Sequence, residues 1–193
     1  MRQILYLHGF NSSPLSLKSR QTQAWLEARG LAEHFHCPAL PFSPAAAAAM
    51  IEDHFTRIDP LQTTCIGSSL GGFYATWAAE RFACRAVLIN PAVRPYRLLD
   101  GLLGPQRNLY SGEEYILAAH HMAELAALEP ARLSQARYWL LAEEGDETLD
   151  YRDAVAYYAG CRQTVHEGGD HGFQRWQGML PEVMAWAGLT AGS

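Results

Sequence analysis

The sequence predicts an α/β protein with a mostly parallel sheet of about six strands that is flanked by helices. Short apolar runs alternate along the chain with longer segments of helical periodicity. This alternation is typical of parallel strands that are joined by crossover helices. The chain has 193 residues, of which 49% are hydrophobic, and a chain of this length usually builds one core. We therefore expect residues 1–193 to form a single domain.

The first half of the chain predicts strands and helices in strict alternation. An apolar run forms the first strand, and the helix after it has Leu17, Trp25 and Leu26 at apolar positions and Gly30 as its stop. Pro44 suits a first helical turn and opens an alanine-rich helix. Strands are predicted at residues 4–7, 35–37 (a weak one) and 63–67, and helices at residues 16–29, 44–57 and 70–81.

The second half continues this rhythm after one interruption. A strong strand at residues 86–90 stops at Pro91, and the later strands lie at residues 137–142 and 163–166, with helices at residues 151–159 and 179–187. Residues 92–135 contain several glycines and exceed what one crossover needs, so they predict an insertion with irregular segments and one helix at 113–128. A long insertion over a compact sheet is typical of a lid or binding loop. The alternative is a surface excursion without contact to substrate.

Charge and hydropathy exclude several classes of protein. The formal net charge is -5, and no basic stripe of the kind that binds nucleic acid is present. The first apolar run is too short for a signal peptide, and no stretch approaches the ~18 apolar residues of a membrane span. We therefore expect a cytoplasmic protein that binds neither nucleic acid nor membranes.

The strongest motif is GSSLGG at residues 67–72, between a predicted strand and a predicted helix. In the pattern G-x-S-x-G the central serine is Ser69, because Ser68 would need a glycine where Ile66 stands. The strand-turn-helix context is that of a nucleophile elbow, in which the backbone N–H of Leu70 can stabilise an oxyanion. The alternative is a plain glycine-rich turn. A phosphate-binding loop is excluded because no lysine follows in the required position.

A second motif, LHGF at residues 7–10, ends the first strand. Its glycine lets the chain pass close to a substrate carbonyl, and the backbone N–H of Phe10 would be the second oxyanion donor. His8 could act as a catalytic base, but the position favours a structural role in which it packs and hydrogen-bonds the loop.

A third motif, EGGDHGF at residues 167–173, follows the last strand and predicts His171 as the base. Chain order then requires an acid between Ser69 and His171. Asp146 has the best placement, on the loop that leaves the preceding strand. The alternative acids nearby are Glu143, Glu144, Glu147 and Asp150.

The other histidines fit the role of base less well. His120 and His121 fall in the predicted helix of the insertion, and His166 ends a strand. His34 and His36 could face one metal ion, but a pair without a third ligand is weak evidence for a site. We expect neither a metal nor a cofactor.

Five segments together resemble the YqiA-like esterases, a small bacterial branch of the α/β-hydrolases. They are LHGFNSSP at 7–14, GSSLGGFYATW at 67–77, NPAVRP at 90–95, GDETLDYRDAVAYY at 145–158 and EGGDHGF at 167–173. The resemblance implies a compact α/β-hydrolase fold and a cytoplasmic esterase, with acyl-CoA thioesters among the candidate substrates. It also supports Ser69, Asp146 and His171 as a catalytic triad.

These residues predict a serine hydrolase that cleaves a small carboxylic ester or thioester through an acyl-enzyme. Asn11 and Arg94 are candidate substrate-binding residues, and Arg94 could instead brace the insertion. Amide or peptide hydrolysis and perhydrolysis remain open, as does a catalytically silent hydrolase fold that serves as a binding partner. The oligomeric state is open as well.

Overall fold

A six-stranded parallel sheet forms the centre of the computed structural model, which describes residues 1–189. Its strand order is β2-β1-β3-β4-β7-β8, while β5 and β6 form a separate antiparallel pair. The prediction of an α/β protein with about six mostly parallel strands is confirmed. The strands are β1 Gln3–Leu7, β2 Phe35–His36, β3 Thr63–Ser68, β4 Arg85–Ile89, β5 Gly104–Arg107, β6 Glu114–Leu117, β7 Tyr138–Glu143 and β8 Arg162–His166.

Helices cover both faces of the sheet and lie close to the predicted segments. Pro44 occupies the first turn of its helix as expected, and the hydroxyl of Ser43 accepts a hydrogen bond from the Ala46 N–H there. The C-terminal helix begins three residues earlier than predicted, at Trp176 rather than residue 179. The helices are α1 Leu17–Glu27, α2 Pro44–Phe55, α3 Leu70–Phe82, α4 Pro95–Leu98, α5 Ala119–Ala127, α6 Tyr151–Tyr157 and α7 Trp176–Ala187.

Alternate side chains of each strand enter two different apolar clusters, because successive residues of a strand point to opposite faces. Leu5 and Leu7 of β1 join the cluster under α2, α3 and α6. Ile4 and Tyr6 join the cluster under α1 and α7. The sheet is therefore buried on both faces, and only the ends of its strands can open towards a ligand.

The insertion differs from the prediction in two respects: it contains the additional short helix α4, and a hairpin replaces the first part of the expected helix. The helix expected at residues 113–128 is wrong over its first part, where β6 pairs with β5 in an antiparallel hairpin. In β6, Tyr115 and Leu117 are buried while Glu114 and Ile116 are exposed, which is the two-residue period of a strand. The helix proper, α5, begins only at Ala119. We call β5, β6 and their connecting turn the hairpin.

The helices of residues 1–189 include no candidate for a membrane span. None of the helices there combines the length and the apolar character that crossing a bilayer requires.

Candidate active site

Ser69, His171 and Asp146 lie in hydrogen-bond contact past the carboxyl ends of three parallel strands. His171 Nδ1 lies 2.8 Å from Asp146 Oδ2 and 3.0 Å from Oδ1. His171 Nε2 lies 3.2 Å from Ser69 Oγ. Because a carboxylate only accepts hydrogen bonds, Nδ1 donates its proton to Asp146, and Nε2 is free to accept the Ser69 hydroxyl. This is the arrangement that activates a serine nucleophile.

The turn that carries Ser69 is strained, and the positions two residues before and after Ser69 must be glycines. Ser69 has φ 56 and ψ -121, between the end of β3 and the start of α3. A Cβ at Gly67 would lie 2.2 Å from the Gly71 carbonyl oxygen, and one at Gly71 would lie 1.9 Å from the Leu7 carbonyl oxygen. Backbone atoms therefore pack directly on one another, which holds a conformation that costs on the order of 1–3 kcal/mol.

The two predicted oxyanion donors, Phe10 and Leu70, line the same cavity of about 40 Å³. Leu70 is the first residue of α3, where the backbone N–H has no acceptor within the helix. Phe10 follows Gly9, whose position would bring a Cβ within 3.3 Å of Ser69 Cβ. The chain therefore passes close to Ser69 before Phe10, and stabilisation of a substrate oxygen by the two amides stays a prediction.

His8 is buried and holds the loop that carries Gly9 and Phe10. Its Nε2 accepts a hydrogen bond from the Leu40 N–H at 3.0 Å, and its Nδ1 donates to the Gly9 carbonyl at 3.1 Å. Burial lowers the pKa of His8, although the Gly9 hydrogen bond acts in the opposite direction. Both ring nitrogens are engaged by backbone groups, so the ring stays neutral and supports the loop.

Asp146 is the predicted acid that contacts the imidazole. Its side chain is 1% exposed, and Oδ1 accepts the backbone N–H groups of Thr148 and Leu149. Burial raises the pKa of Asp146, but hydrogen bonds from His171 and the two amides outweigh burial and hold the pKa below its ordinary value. The carboxylate is therefore ionised at neutral pH and can stabilise an imidazolium.

The alternative acids have other partners. Glu143 is fully buried and accepts the Asp170 N–H. Glu147 accepts the backbone N–H of His171 at 3.0 Å, not its ring. Asp150 caps α6 and pairs with Arg152, whereas the backbone N–H of Glu144 donates to the His166 carbonyl.

The two predicted substrate-binding residues differ in their surroundings. Asn11 lines the cavity, and its side chain is bound to the hairpin through the hydroxyl of Tyr115 (2.7 Å) and the amide of Gln106 (3.2 Å). Arg94 donates to Glu129 within the insertion at 3.0 Å and does not line this cavity. Bracing thus accounts for Arg94, and contact of either residue with substrate stays a prediction.

The histidine pair considered for a metal faces two directions. His34 Nδ1 donates to the Arg2 carbonyl at 2.6 Å, while His36 Nε2 lies 2.9 Å from the Gln3 side-chain oxygen. Throughout residues 1–189, no three His, Cys, Asp or Glu side chains are grouped so that they could hold a metal ion.

Sequence reasoning left open whether aromatic residues of the insertion, Tyr115 among them, line an acyl pocket or pack the insertion, but it missed the hairpin that carries Tyr115. Tyr115 and Asn108 line the cavity, and the Tyr115 ring stacks on Phe42 with centroids 4.3 Å apart. The Asn108 amide also donates to the Ser12 carbonyl at 2.9 Å. The sequence of β6 gives no alternating signal, because the exposed Ile116 is apolar and stands between the buried Tyr115 and Leu117.

A family comparison identifies the chain. The model of the uncharacterised protein family UPF0227 matches residues 3–188. The chain belongs to this family. UPF0227 is the YqiA family, so the predicted resemblance is confirmed.

Solved structures with the same fold cover almost the whole chain. A presumed hydrolase from Agrobacterium vitis S4 aligns with a TM-score of 0.70 and 15% identity over 96% of this chain and 87% of its own. Est1E from Butyrivibrio proteoclasticus, solved with ferulic acid, aligns with a TM-score of 0.67 and 15% identity over 98% and 90%. An esterase domain from Rhodothermus marinus aligns with a TM-score of 0.65 and 16% identity over 99% and 88%. At these identities the likeness shows the α/β-hydrolase fold.

Proposed function

We propose that this UPF0227 protein is a serine hydrolase that cleaves small carboxylic esters or acyl thioesters. The observation that carries the proposal is the continuous hydrogen-bond chain from Asp146 through His171 to Ser69, at 2.8 Å and 3.2 Å. This chain ends beside a cavity that the two oxyanion donors line. A nucleophile, a base, an acid and an oxyanion site are the parts that acyl transfer needs.

Acylation uses all of these parts. The Ser69 hydroxyl oxygen attacks the carbonyl carbon while His171 Nε2 takes the hydroxyl proton. The N–H groups of Phe10 and Leu70 stabilise the oxygen that becomes negative, each by about 3 kcal/mol in known enzymes of this type. When the tetrahedral intermediate collapses, the imidazolium gives its proton to the leaving alkoxide or thiolate, and the acyl group stays on Ser69.

Deacylation repeats the sequence with water as the nucleophile. His171 takes a proton from water as the oxygen attacks the acyl carbon, and the same amides stabilise the second tetrahedral intermediate. Collapse breaks the ester bond to Ser69 and returns the proton to its oxygen, releasing the carboxylic acid. Throughout, the ionised Asp146 holds Nδ1–H, so that Nε2 can accept and return the proton.

The substrate class rests on two lines of support. Ferulic acid, the ligand solved with Est1E, is itself a carboxylic acid, as the product of ester hydrolysis is. The resemblance to the YqiA-like esterases favours an ester or an acyl-CoA thioester. A cytoplasmic location and a small-molecule substrate belong to the same proposal.

The matched pair Ser69→Ala and Ser68→Ala tests the nucleophile. We expect Ser69→Ala to lower kcat for a short-chain nitrophenyl ester by about 10⁶-fold, because no other group can form the acyl-enzyme. Labelling by a fluorophosphonate should disappear as well, with thermal unfolding unchanged. Ser68→Ala, altered at the neighbouring serine, should keep activity and labelling.

Retained hydrolysis by Ser69→Ala would overturn the proposal, and a wild-type protein that is neither labelled nor active would favour a silent binding protein. A chain-length panel of nitrophenyl esters and acyl-CoAs then separates ester from thioester substrates.

A further inference from the structure

The backbone of the loop around His171 is held by side chains that come from distant parts of the chain. We define the histidine loop as residues 169–173. Its polar backbone groups bind Glu143, Asn90, Lys18 and Glu147. None of these four side chains hydrogen-bonds to the imidazole, so each can act on it through the position of the loop and, where it is charged, through its charge.

Glu143 holds the loop on the side that precedes His171. It is the last residue of β7 and is fully buried. Its Oε2 accepts the Asp170 N–H at 2.8 Å, and its Oε1 lies 3.1 Å from Arg175 Nε. A Cβ at Gly169 would lie 2.1 Å from Oε2. The backbone therefore packs directly against this carboxylate, and any side chain at position 169 would collide with it.

Lys18 holds the loop on the side that follows His171. It is the single lysine of the sequence, near the start of α1. Its Nζ donates to the Gly172 carbonyl at 2.8 Å. Burial lowers the pKa of Lys18, while Asp170, Glu143 and Asp146 act in the opposite direction. A partly buried ammonium is unfavourable unless it is compensated, and here the Gly172 carbonyl and the three nearby carboxylates compensate it.

Asn90 connects Glu143 to the histidine loop. Its Nδ2 donates to the carbonyls of Asp170 (3.0 Å) and His171 (3.3 Å), and its Oδ1 accepts the Glu143 N–H at 3.0 Å. The residue follows β4 with φ 39. The ends of β4 and β7 and the histidine loop therefore form one hydrogen-bonded unit.

We propose that Glu143 and Lys18 are positioning residues that hold the histidine loop from its two sides and thereby set the distance from His171 Nε2 to Ser69 Oγ. The inference rests on the proposed role of His171 as the base. A misplacement of about 1 Å at a catalytic group can lower a rate by about 10²-fold, so small movements of this loop suffice to affect turnover.

The test compares Lys18→Met and Glu143→Gln in nitrophenyl ester hydrolysis across pH. We expect each to lower kcat by about 10-fold or more, with KM within about twofold of wild type. The double variant should lose less than the product of the single losses, because both act on one loop.

The acid limb of the pH–rate profile, where kcat falls as His171 becomes protonated, supplies a second readout. General destabilisation of the fold does not shift this limb. The His171 ring contacts Asp146, and Glu147 binds its backbone N–H. The other charged groups in or against the loop are Lys18, Glu143, Asp170 and Arg175. Removing the cation Lys18 stabilises the imidazolium, so the limb should shift to higher pH. Removing the anion Glu143 should shift it to lower pH.

Glu80→Gln is the matched control. Glu80 is also a shielded carboxylate that accepts a backbone N–H, from Ser134 at 2.7 Å, and it pairs with Arg137 far from the loop. We expect it to lower the unfolding temperature without changing kcat or the acid limb.

The outcomes separate the two proposals. If Ser69→Ala is inactive but both loop variants keep kcat within twofold and unshifted limbs, the positioning inference is refuted and the triad stands. If Ser69→Ala stays active, the proposed function fails first. If one loop variant does not fold, the kcat and the acid-limb shift of the other variant test the positioning inference.

Discussion

The nucleophile turn and the histidine loop are both short connections past strand ends, yet they are held by different means. At the turn, backbone packs on backbone, and a side chain at Gly67 or Gly71 would collide with main-chain atoms. At the loop, the backbone is held by hydrogen bonds to the charged side chains of Lys18 and Glu143 and to the amide of Asn90. The turn is therefore specified by residues beside Ser69, whereas the loop depends on residues far away in sequence.

This difference separates two kinds of sensitivity. Damage to the turn disrupts the contact between β1 and α3, and so it affects the fold. Damage to the loop leaves the sheet intact and displaces or misprotonates His171, the proposed base, so we expect it to affect turnover. The three variants below test this separation.

Among these three variants, the largest loss of kcat is expected for Asp146→Asn, which alters the partner of His171 in the histidine loop. The asparagine amide would donate towards His171 Nδ1, so the imidazole would carry its proton on Nε2 and could not accept one from Ser69. We expect kcat to fall by about 10⁴-fold with an unchanged unfolding midpoint, measured by ester hydrolysis and urea denaturation.

Asp150→Asn is the control for this variant, because Asp150 is an exposed cap of α6 that an asparagine can replace. Its rate should stay within about twofold of wild type. A near-normal rate for Asp146→Asn would show that the acid lies elsewhere, with Glu147 as the next candidate.

Gly71→Ala tests the nucleophile turn and should destabilise the fold there. The new methyl would lie 1.9 Å from the Leu7 carbonyl oxygen and 2.7 Å from that of His8. Overpacking against main-chain atoms should lower the free energy of unfolding by about 3 kcal/mol or more, as measured by urea denaturation.

Gly178→Ala offers a matched control in α7, where nothing lies within 4 Å of the added methyl. There alanine should raise the free energy of unfolding by up to ~1 kcal/mol. If Gly71→Ala changed the free energy of unfolding as little as Gly178→Ala, the turn would not be held by direct backbone packing.

The smallest effect is expected for Glu147→Ala, which sharpens the account of the loop. Glu147 accepts the His171 N–H at 3.0 Å, but this contact is exposed to solvent. Water can replace an exposed acceptor, so we expect kcat to change by less than about threefold. A loss as large as that of Lys18→Met would show that exposed contacts hold the loop as firmly as buried ones.

The parts of the molecule that could be predicted from sequence are those encoded locally. The strands, most helices and the turn at Ser69 follow from apolar runs and from glycines a few residues apart. The order of serine, acid and histidine also selected the three side chains that the structure brings together. Their catalytic roles stay predictions.

The parts that could not be predicted depend on distance or on short signals. Lys18 lies 154 positions from Gly172, and no local pattern marks a lysine that will bind a carbonyl. The hairpin was missed because Glu114–Leu117 is four residues long, too short to show its period beside a true helix. Arg94 was considered for substrate binding, although its actual partner, Glu129, lies 35 positions away.

The left-handed backbone at Ser69 (φ 56) has a consequence for how this protein can evolve. Glycine adopts such a conformation without strain, so a search for greater stability alone would favour the residue that lacks the hydroxyl. With Ser69 as the proposed nucleophile, selection for turnover and selection for stability oppose each other at this position. A lineage released from the need for catalysis should lose Ser69 early while it keeps the sheet beneath it.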